Sequence, residues 1–132
     1  GLWWNFVVRQ GDTRAELYID LPDQSRNKGI YDSLFAKRAD IEAEFGGKLD
    51  WQRLDAKRAS RVTVDFVGGW GDEATWPDVI PKVVAAMERL HKVLSKRALA
   101  AKEPRVDRSA RDARGAHRGS ADRRRTWRSR GR

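Results

Sequence analysis

Cysteine is absent from this chain of 132 residues, and histidine occurs twice, at His91 and His117. The absence of cysteine excludes disulfides, thiolate nucleophiles and sulfur-ligated metal centres, and two isolated histidines do not supply the ligand cluster of a zinc site. We therefore expect no cofactor and no metal. Because nothing in the composition indicates an oxidising compartment, the expected location is the cytoplasm.

Long apolar runs are also missing. The longest ones extend over a few residues, far short of the ~20 that a membrane-spanning helix needs, and the amino end shows no signal-peptide pattern. No membrane partner is expected. The chain begins at Gly1, and Leu2, Trp3 and Trp4 already have strand character, which predicts that further sequence precedes them.

Positive charge is concentrated at the carboxyl end. Residues 1–103 hold 17 Lys and Arg against 16 Asp and Glu, a net charge of +1, whereas residues 104–132 hold 11 Arg against 3 Asp, a net charge of +8. We predict one α+β domain over 1–103 and a disordered arginine-rich tail over 104–132, because the tail has no apolar periodicity. Arginine without lysine is also typical of a shifted reading frame in GC-rich DNA, and this alternative stays open.

Two segments near the amino end alternate between apolar and polar side chains, as strands with one buried face do. The segments are residues 2–9 and 13–21. The predicted inward set is Trp4, Phe6, Val8, Ala15, Leu17 and Ile19. Gly11-Asp12 between the segments predicts a hairpin with a two-residue type II′ turn.

A helix is predicted after the hairpin. Asp23 or Ser25 provides its N-cap, an apolar stripe runs along it from Ile30 to Phe45, and Gly46-Gly47 ends it. Strands follow at 49–54 and 61–67.

The final predicted element is a helix from Val79 to about Leu99, capped by Asp78, because Pro81 is tolerated in a first turn, where its missing N–H has no helical acceptor. The order ββαββα predicts a two-layer sandwich, in which a four-stranded antiparallel sheet carries two helices on one face.

The sequence contains partial matches to catalytic motifs, but the predicted strands and helices do not place their residues as those motifs require. Pro22-Asp23 and Asp55-Ala56-Lys57 spell the PD…DxK string of metal-dependent nucleases, but both acids of such a site lie on adjacent strands, whereas here a helix separates them. We interpret Asp23 as a helix cap and Asp55 as a solvated turn residue. Met87 and His91 are interpreted as a core methionine and a half-buried histidine. No complete catalytic constellation is found, which favours a role other than catalysis.

The sheet face that the helices leave uncovered is predicted to hold aromatic and basic side chains. The predicted set is Trp3, Arg9, Arg14, Tyr18 and Arg61, with Trp51 and Arg53 as further candidates. Aromatic rings among guanidinium groups are able to stack single-stranded bases, but a bare aromatic face more often packs against protein. The expected partner is an upstream domain of the same protein or a second copy of the chain, and nucleic acid is the alternative.

Two further groups of cations are candidates for nucleic-acid contact. Lys57, Arg58 and Arg61 lie in a basic turn that is either a phosphate-binding loop or, as we favour, a solvated loop in which Asp55 pairs with Arg58 or Arg61. In the tail, the contact candidates are Arg123, Arg124 and Arg125.

Four stretches carry a family resemblance: ELYID (16–20), RNKGIYDSL (26–34), IEAEFG (41–46) and LDWQRLDAKRASRV (49–62). Over about residues 2–99 the chain resembles a bacterial and archaeal family catalogued as a domain of unknown function, and the last stretch is the most specific. Members often follow a restriction-endonuclease-like module, so the resemblance implies an accessory role beside a nuclease-like protein and no catalytic residues. We expect a non-catalytic interaction domain of a restriction or anti-phage defence system, with a nucleic-acid-binding module as the alternative.

Overall fold

A computed structural model of the protein describes residues 1–103, which contain four strands and three helices. In chain order these are β1 (Leu2–Val8), β2 (Asp12–Ile19), α1 (Gln24–Phe35), α2 (Arg38–Phe45), β3 (Asp50–Gln52), β4 (Ser60–Val67) and α3 (Trp76–Lys102). The predicted α+β class is confirmed. The predicted tail and its candidates Arg123, Arg124 and Arg125 lie outside the described residues.

The four strands form one antiparallel sheet in the order β1-β2-β4-β3, so β2 and β4 are central. Side chains alternate between the faces of a strand, and the inward residues Ala15, Leu17, Ile19 and Val62 are fully buried. The inward face predicted for β2 is therefore confirmed.

All three helices contribute apolar side chains to the layer against this inner face. The helical part of the core comprises Ile30, Tyr31 and Leu34 from α1, Ile41 and Phe45 from α2, and Val83, Ala86, Leu90, Val93, Leu94 and Ala98 from α3. Fully burying one of the valine, leucine, isoleucine or phenylalanine side chains stabilises a fold by about 1.5–3 kcal/mol. None of the described helices is both long and apolar enough to cross a membrane.

The single helix predicted to end at Gly46-Gly47 is divided into α1 and α2. Asp23 caps α1 by accepting from the Ser25 amide at 2.9 Å, as predicted. A turn in which the Lys37 amide donates to the Leu34 carbonyl closes α1, and the apolar residues of α2, which follows, pack in the core with α3. Gly46 ends α2 in the left-handed conformation, with φ of 92°, which glycine adopts without steric cost.

Helix α3 begins at Trp76, so the predicted start at Val79 and the predicted cap at Asp78 were wrong. A 3₁₀ turn over Glu73–Thr75 precedes it, capped by Asp72, whose side chain accepts from the Ala74 amide. Pro77 lies in the first turn of α3, whereas Pro81 lies inside it. Both prolines are exposed, so the carbonyl group that Pro81 leaves without a helical donor is open to water.

The β1–β2 hairpin turns at Gln10-Gly11, because the Arg9 amide donates to the Asp12 carbonyl at 2.8 Å. Gly11 does not have the positive φ of a type II′ turn, so the predicted Gly11-Asp12 turn was wrong. The glycine-rich loop after β4 also stabilises this turn, because the amides of Gly68 and Gly71 donate to the carbonyls of Gly11 and Gln10.

Candidate interaction surfaces

The outer sheet face, the one opposite the helices, carries a row of side chains that runs across all four strands. Strand register places Trp3, Tyr18, Arg61 and Gln52 in this row. Trp3 is 56% exposed, and Arg61 donates through Nε to the Gln52 amide oxygen at 2.7 Å. The outward direction predicted for Trp3, Tyr18 and Arg61 agrees with this arrangement.

The centre of the outer face consists of charged side chains that are buried from solvent. Arg14 and Glu16 are 5% and 3% exposed, although they project from the face without helices. Glu16 accepts from the Asn5 side-chain amide at 3.1 Å, and Arg14 lies 3.6 Å from the Asp65 carboxylate. Arg14 Nε and Glu16 Oε1 have no hydrogen-bond partner among the described residues. This centre is therefore not the open apolar plane that would receive another domain.

Trp51 and Arg53 do not lie on the outer face, so that part of the prediction was wrong. Trp51 is paired with the inward Val62, and its ring packs edge-on against Tyr31 and Phe35 of α1 at centroid distances of 6.2 and 5.7 Å. Arg53 follows the end of β3 and pairs with Asp32 of α1 at 2.9 Å. A three-residue strand is too short to reveal from its sequence which residues point inward.

Glu42 of α2 completes the environment of the Trp51 ring. Its Oε2 atom accepts from the Leu49 amide at 2.9 Å and from the Trp51 indole N–H at 3.1 Å. These two donors hold the pKa of Glu42 below its usual value, because they stabilise the charged carboxylate. Trp51 is thus held on the helix side of the sheet and is partly buried against the core.

The cations of the basic turn are largely paired. Arg58 donates to both carboxylate oxygens of Asp20, at 2.7 and 3.0 Å, and these bonds hold the pKa of Asp20 below its usual value. Asp55 pairs with Arg53, so the predicted pairing of Asp55 with Arg58 or Arg61 was wrong. Lys57 is exposed, and its ammonium group makes no hydrogen bond within the described residues.

The same turn is folded around a buried lysine of α1. Lys28 is 8% exposed, and its Nζ donates to the carbonyls of Arg53, Leu54 and Ala59 and to the Ser60 hydroxyl, at 2.6–3.0 Å. Burial, and then the charge of Arg53, lowers the pKa of Lys28. The neighbouring Asn27 bonds the backbone of Leu21 and Arg58, so this part of α1 fixes two loops.

These contacts give the family-like stretches a structural role. RNKGIYDSL supplies Asn27 and Lys28, and LDWQRLDAKRASRV supplies the Arg58 carbonyl that Asn27 binds and the carbonyls that Lys28 binds. Leu54 has a φ of 57°, a conformation that costs a residue with a side chain about 1–2 kcal/mol. The lysine offsets this cost by binding the Leu54 carbonyl, so these stretches together stabilise a loop.

The structure gives the two acids of the nuclease-like string, Asp23 and Asp55, separate structural roles. Asp23 caps α1 and Asp55 pairs with Arg53, and within residues 1–103 no three metal-ligating side chains are grouped closely enough to hold an ion. Met87 packs against the core, as predicted. His91 is exposed, in contrast to the half-buried histidine that was predicted, and its ring lies edge-on to Trp4 at 4.7 Å.

A surface that sequence reasoning missed is one edge of β1: the strand pairs with β2 along its other edge, and no strand within residues 1–103 pairs with it along this open edge. The amino group of Gly1 donates to the Asp20 carbonyl and the Asp20 amide donates back to the Gly1 carbonyl, so these two residues form a hydrogen-bonded pair. At the other end of the strand the Arg9 amide donates to the Asp12 carbonyl. Because hydrogen-bonded pairs alternate along antiparallel strands, the odd-numbered residues of β1 bond β2. The N–H and C=O groups of the even-numbered residues therefore point to the open edge: Leu2, Trp4, Phe6 and Val8.

The two edges of the sheet differ in their protection. Edge strands are normally blunted by charge, proline, a bulge or shortness. The β3 edge spans three residues and begins with the exposed Asp50. In contrast, β1 spans seven residues with the sequence LWWNFVV, which contains no charge and no proline, and its register with β2 is unbroken. The β1 edge is thus competent to pair with another strand.

An apolar groove adjoins this open edge on the helix side. It lies between β1 and the first turns of α3, has a volume of about 360 Å³, and is lined by Phe6, Val8, Thr13, Trp76, Val79, Ile80, Val83 and Val84. Phe6 and Val8 are 51% and 54% exposed, although both were predicted to be inward. They do face the helical layer, but the start of α3 leaves them uncovered.

Comparison with known proteins gives the chain a family and no described relative. Neither the curated proteins nor the solved structures contain a match to it. One family model matches residues 1–98, which include every strand and nearly all of α3. The chain therefore belongs to the family described as a domain of unknown function, DUF4268.

Proposed function

We propose that this protein is a non-catalytic interaction domain that binds an extended polypeptide strand at the open edge of β1. The observation that supports this proposal is the uncharged edge of β1, which no strand of the described part of the chain covers, beside the exposed apolar groove. The partner has a defined chemistry: it is a strand whose backbone pairs with β1 and whose apolar side chains fill the groove.

The two parts of the surface have complementary tasks in this binding mode. Main-chain hydrogen bonds to an added strand provide affinity that is independent of sequence, while pockets for alternate side chains provide specificity. The even-numbered residues of β1 offer the backbone groups, and the groove between Phe6 and Ile80 offers the apolar pocket. The outer face contributes less, because its centre is occupied by Arg14 and Glu16.

The wider setting is part of the same proposal. The domain acts as the accessory part of a nuclease-like or defence-related protein in the bacterial cytoplasm. The family resemblance of residues 2–99 supports this setting, and so does the lack of cysteine.

Photo-crosslinking in the cells that make the protein tests the proposal. A benzophenone amino acid placed at position 6, on the edge, is expected to give a discrete crosslinked product, because the partner strand lies in contact with that side chain. The matched control is position 99, since Leu99 is 55% exposed on α3 and outside the groove. Equal crosslinking at both positions, or none at position 6, contradicts the proposal.

A second candidate function, binding of single-stranded nucleic acid, is favoured by one specific observation. Trp3 is exposed next to Tyr18 and Arg61 in one row of the sheet, an arrangement suited to base stacking. If it operates, Trp3→Ala weakens oligonucleotide binding about tenfold or more, whereas Trp70→Ala, at another exposed tryptophan, leaves it unchanged. Unchanged affinity in both variants removes this candidate, and deletion of 104–132 measures the contribution of the tail.

A further inference from the structure

We infer that the strand bound at the open edge is β1 of a second copy of this chain, paired antiparallel about a two-fold axis that passes through Asn5. This inference rests on the proposed function, and it names the partner and the register. The resulting dimer contains one sheet that continues from one copy into the other.

The free backbone groups of β1 have the symmetry that such pairing needs. A two-fold axis at Asn5 places Leu2 opposite Val8 of the second copy and Trp4 opposite Phe6. These four are the residues whose N–H and C=O groups point to the open edge, as the bonds of Gly1 and Arg9 to β2 establish. Every free group of the strand therefore acquires a partner. An axis at Trp4 would leave Val8 without an opposing residue, and an axis at Phe6 would place Leu2 opposite Gln10 of the hairpin turn.

The side chains match in the same register. Leu2, Trp4, Phe6 and Val8 share the helix side of the sheet, so the pairs that form are apolar on both strands. Leu2 and Trp4 of the second copy come to lie beside Val8 and Phe6, which are the half-exposed residues at the mouth of the groove. The pairing thus covers apolar surface that a single copy leaves in water.

Charge also favours a second copy as the occupant. In a two-fold pair the residue on the axis lies opposite itself, so a charge at that position would oppose a like charge, which is destabilising. β1 has no charged residue, and the residue on the axis is the neutral Asn5. An edge that selects a different protein has no reason to exclude charge, since opposite charges across the pair would strengthen it.

Sedimentation of the full chain over a concentration series tests the association. The wild-type protein is expected to be a dimer, and Phe6→Lys is expected to weaken the dimer by about 100-fold or more, because it places an ammonium group in the apolar pair. Leu99→Lys is the matched control and is expected to dimerise as the wild type does. A wild-type protein that stays monomeric overturns the inference regardless of how the variants fold.

Disulfide formation tests the register. Because the chain has no cysteine, a single introduced cysteine is able to form a disulfide only with the same cysteine of another copy. Asn5→Cys is expected to form an intermolecular disulfide under mild oxidation, since directly opposed residues of a non-hydrogen-bonded pair lie about 4.5 Å apart between Cα atoms. Val7→Cys, on the same face, lies opposite Trp3 of the other copy and is expected to stay reduced. Crosslinking of Val7→Cys in place of Asn5→Cys contradicts the register.

The outcomes separate the two proposals. A monomer in sedimentation together with a position-6 crosslink to a different protein rejects self-pairing and retains the strand-binding function. A position-6 crosslink that contains two copies of the chain, with disulfide formation at position 5, supports both. Absence of dimer and of any position-6 crosslink rejects both.

Discussion

Lys28→Met is expected to lower the free energy of unfolding by about 3 kcal/mol. The ammonium group of Lys28 binds three backbone carbonyls and the Ser60 hydroxyl in a buried position. Methionine has a similar volume but donates no hydrogen bond, so the Ala59 carbonyl is left buried without a donor, which costs about 1–3 kcal/mol by itself. The measurement is chemical denaturation of both proteins, with the loss read as a lower midpoint at an unchanged slope.

Lys57→Met provides the control for this experiment. It makes the same chemical change in the loop that Lys28 binds, but at an exposed side chain whose ammonium group makes no hydrogen bond within the described residues. Its effect is expected to stay within about 0.5 kcal/mol. If the two variants are equally stable, the buried lysine does not hold the loop, and our structural account of the family-like stretches is wrong.

Gly69→Ala is expected to destabilise the domain by about 3 kcal/mol or more, because it forces backbone apart. A Cβ atom at position 69 would overlap the carbonyl oxygen of Arg9 and lie 2.9 Å from the carbonyl oxygen of Gln10. Neither atom belongs to a side chain that could rotate away. The loop would have to leave the hairpin and break the bond from the Trp70 amide to the Arg9 carbonyl, now 2.9 Å long. Thermal unfolding measures the loss.

The matched substitution Gly29→Ala is expected to have the opposite sign. Gly29 lies within α1, and nothing lies within 4 Å of a Cβ atom added there. Alanine is favoured over glycine inside a helix by up to about 1 kcal/mol, so this variant should unfold at a higher temperature than the wild type. A Gly69→Ala protein as stable as Gly29→Ala would show that the loop does not need its close approach to the hairpin.

The parts of the fold that the sequence predicted are those determined by local patterns. Ala15, Leu17 and Ile19 alternate with polar residues over a strand long enough to show period two. Gly46 ended its helix because the conformation it adopts is one that other residues resist. The four-stranded sheet with helices on one face followed from such patterns and from the need to bury them.

The parts that escaped prediction depend on contacts between distant segments. Nothing in the RNKG sequence distinguishes Lys28 from an ordinary solvated lysine, because its burial requires residues 53–60 to fold back over α1. Trp51 lies in a strand of three residues, for which no period exists. The break between α1 and α2 at Ala36 and Lys37 contains no proline or glycine that would signal it.

For the candidate surface, too, local patterns could be predicted and contacts between distant segments could not. That β1 is a strand could be predicted, but the order of strands in the sheet could not, and it is this order that makes β1 an edge. The alternation of residues 2–9 was therefore interpreted as a sheet face, with Phe6 and Val8 inward and Trp3 on a docking plane. In the structure Arg14 and Glu16 occupy the centre of that plane, and the open backbone groups of β1 are the more distinctive feature.

Amide hydrogen exchange along β1 tests the docking edge most directly, when it is measured on the full-length protein in its assembled state. The amides of Trp3, Asn5 and Val7 bond β2 and should be protected in every state. The account predicts that the amides of Leu2, Trp4, Phe6 and Val8 are protected as well, and that they lose this protection when the assembly is diluted or when Phe6 is replaced by lysine. If the even-numbered amides exchange freely in the assembled protein while the odd-numbered ones stay protected, the edge of β1 is not a binding surface.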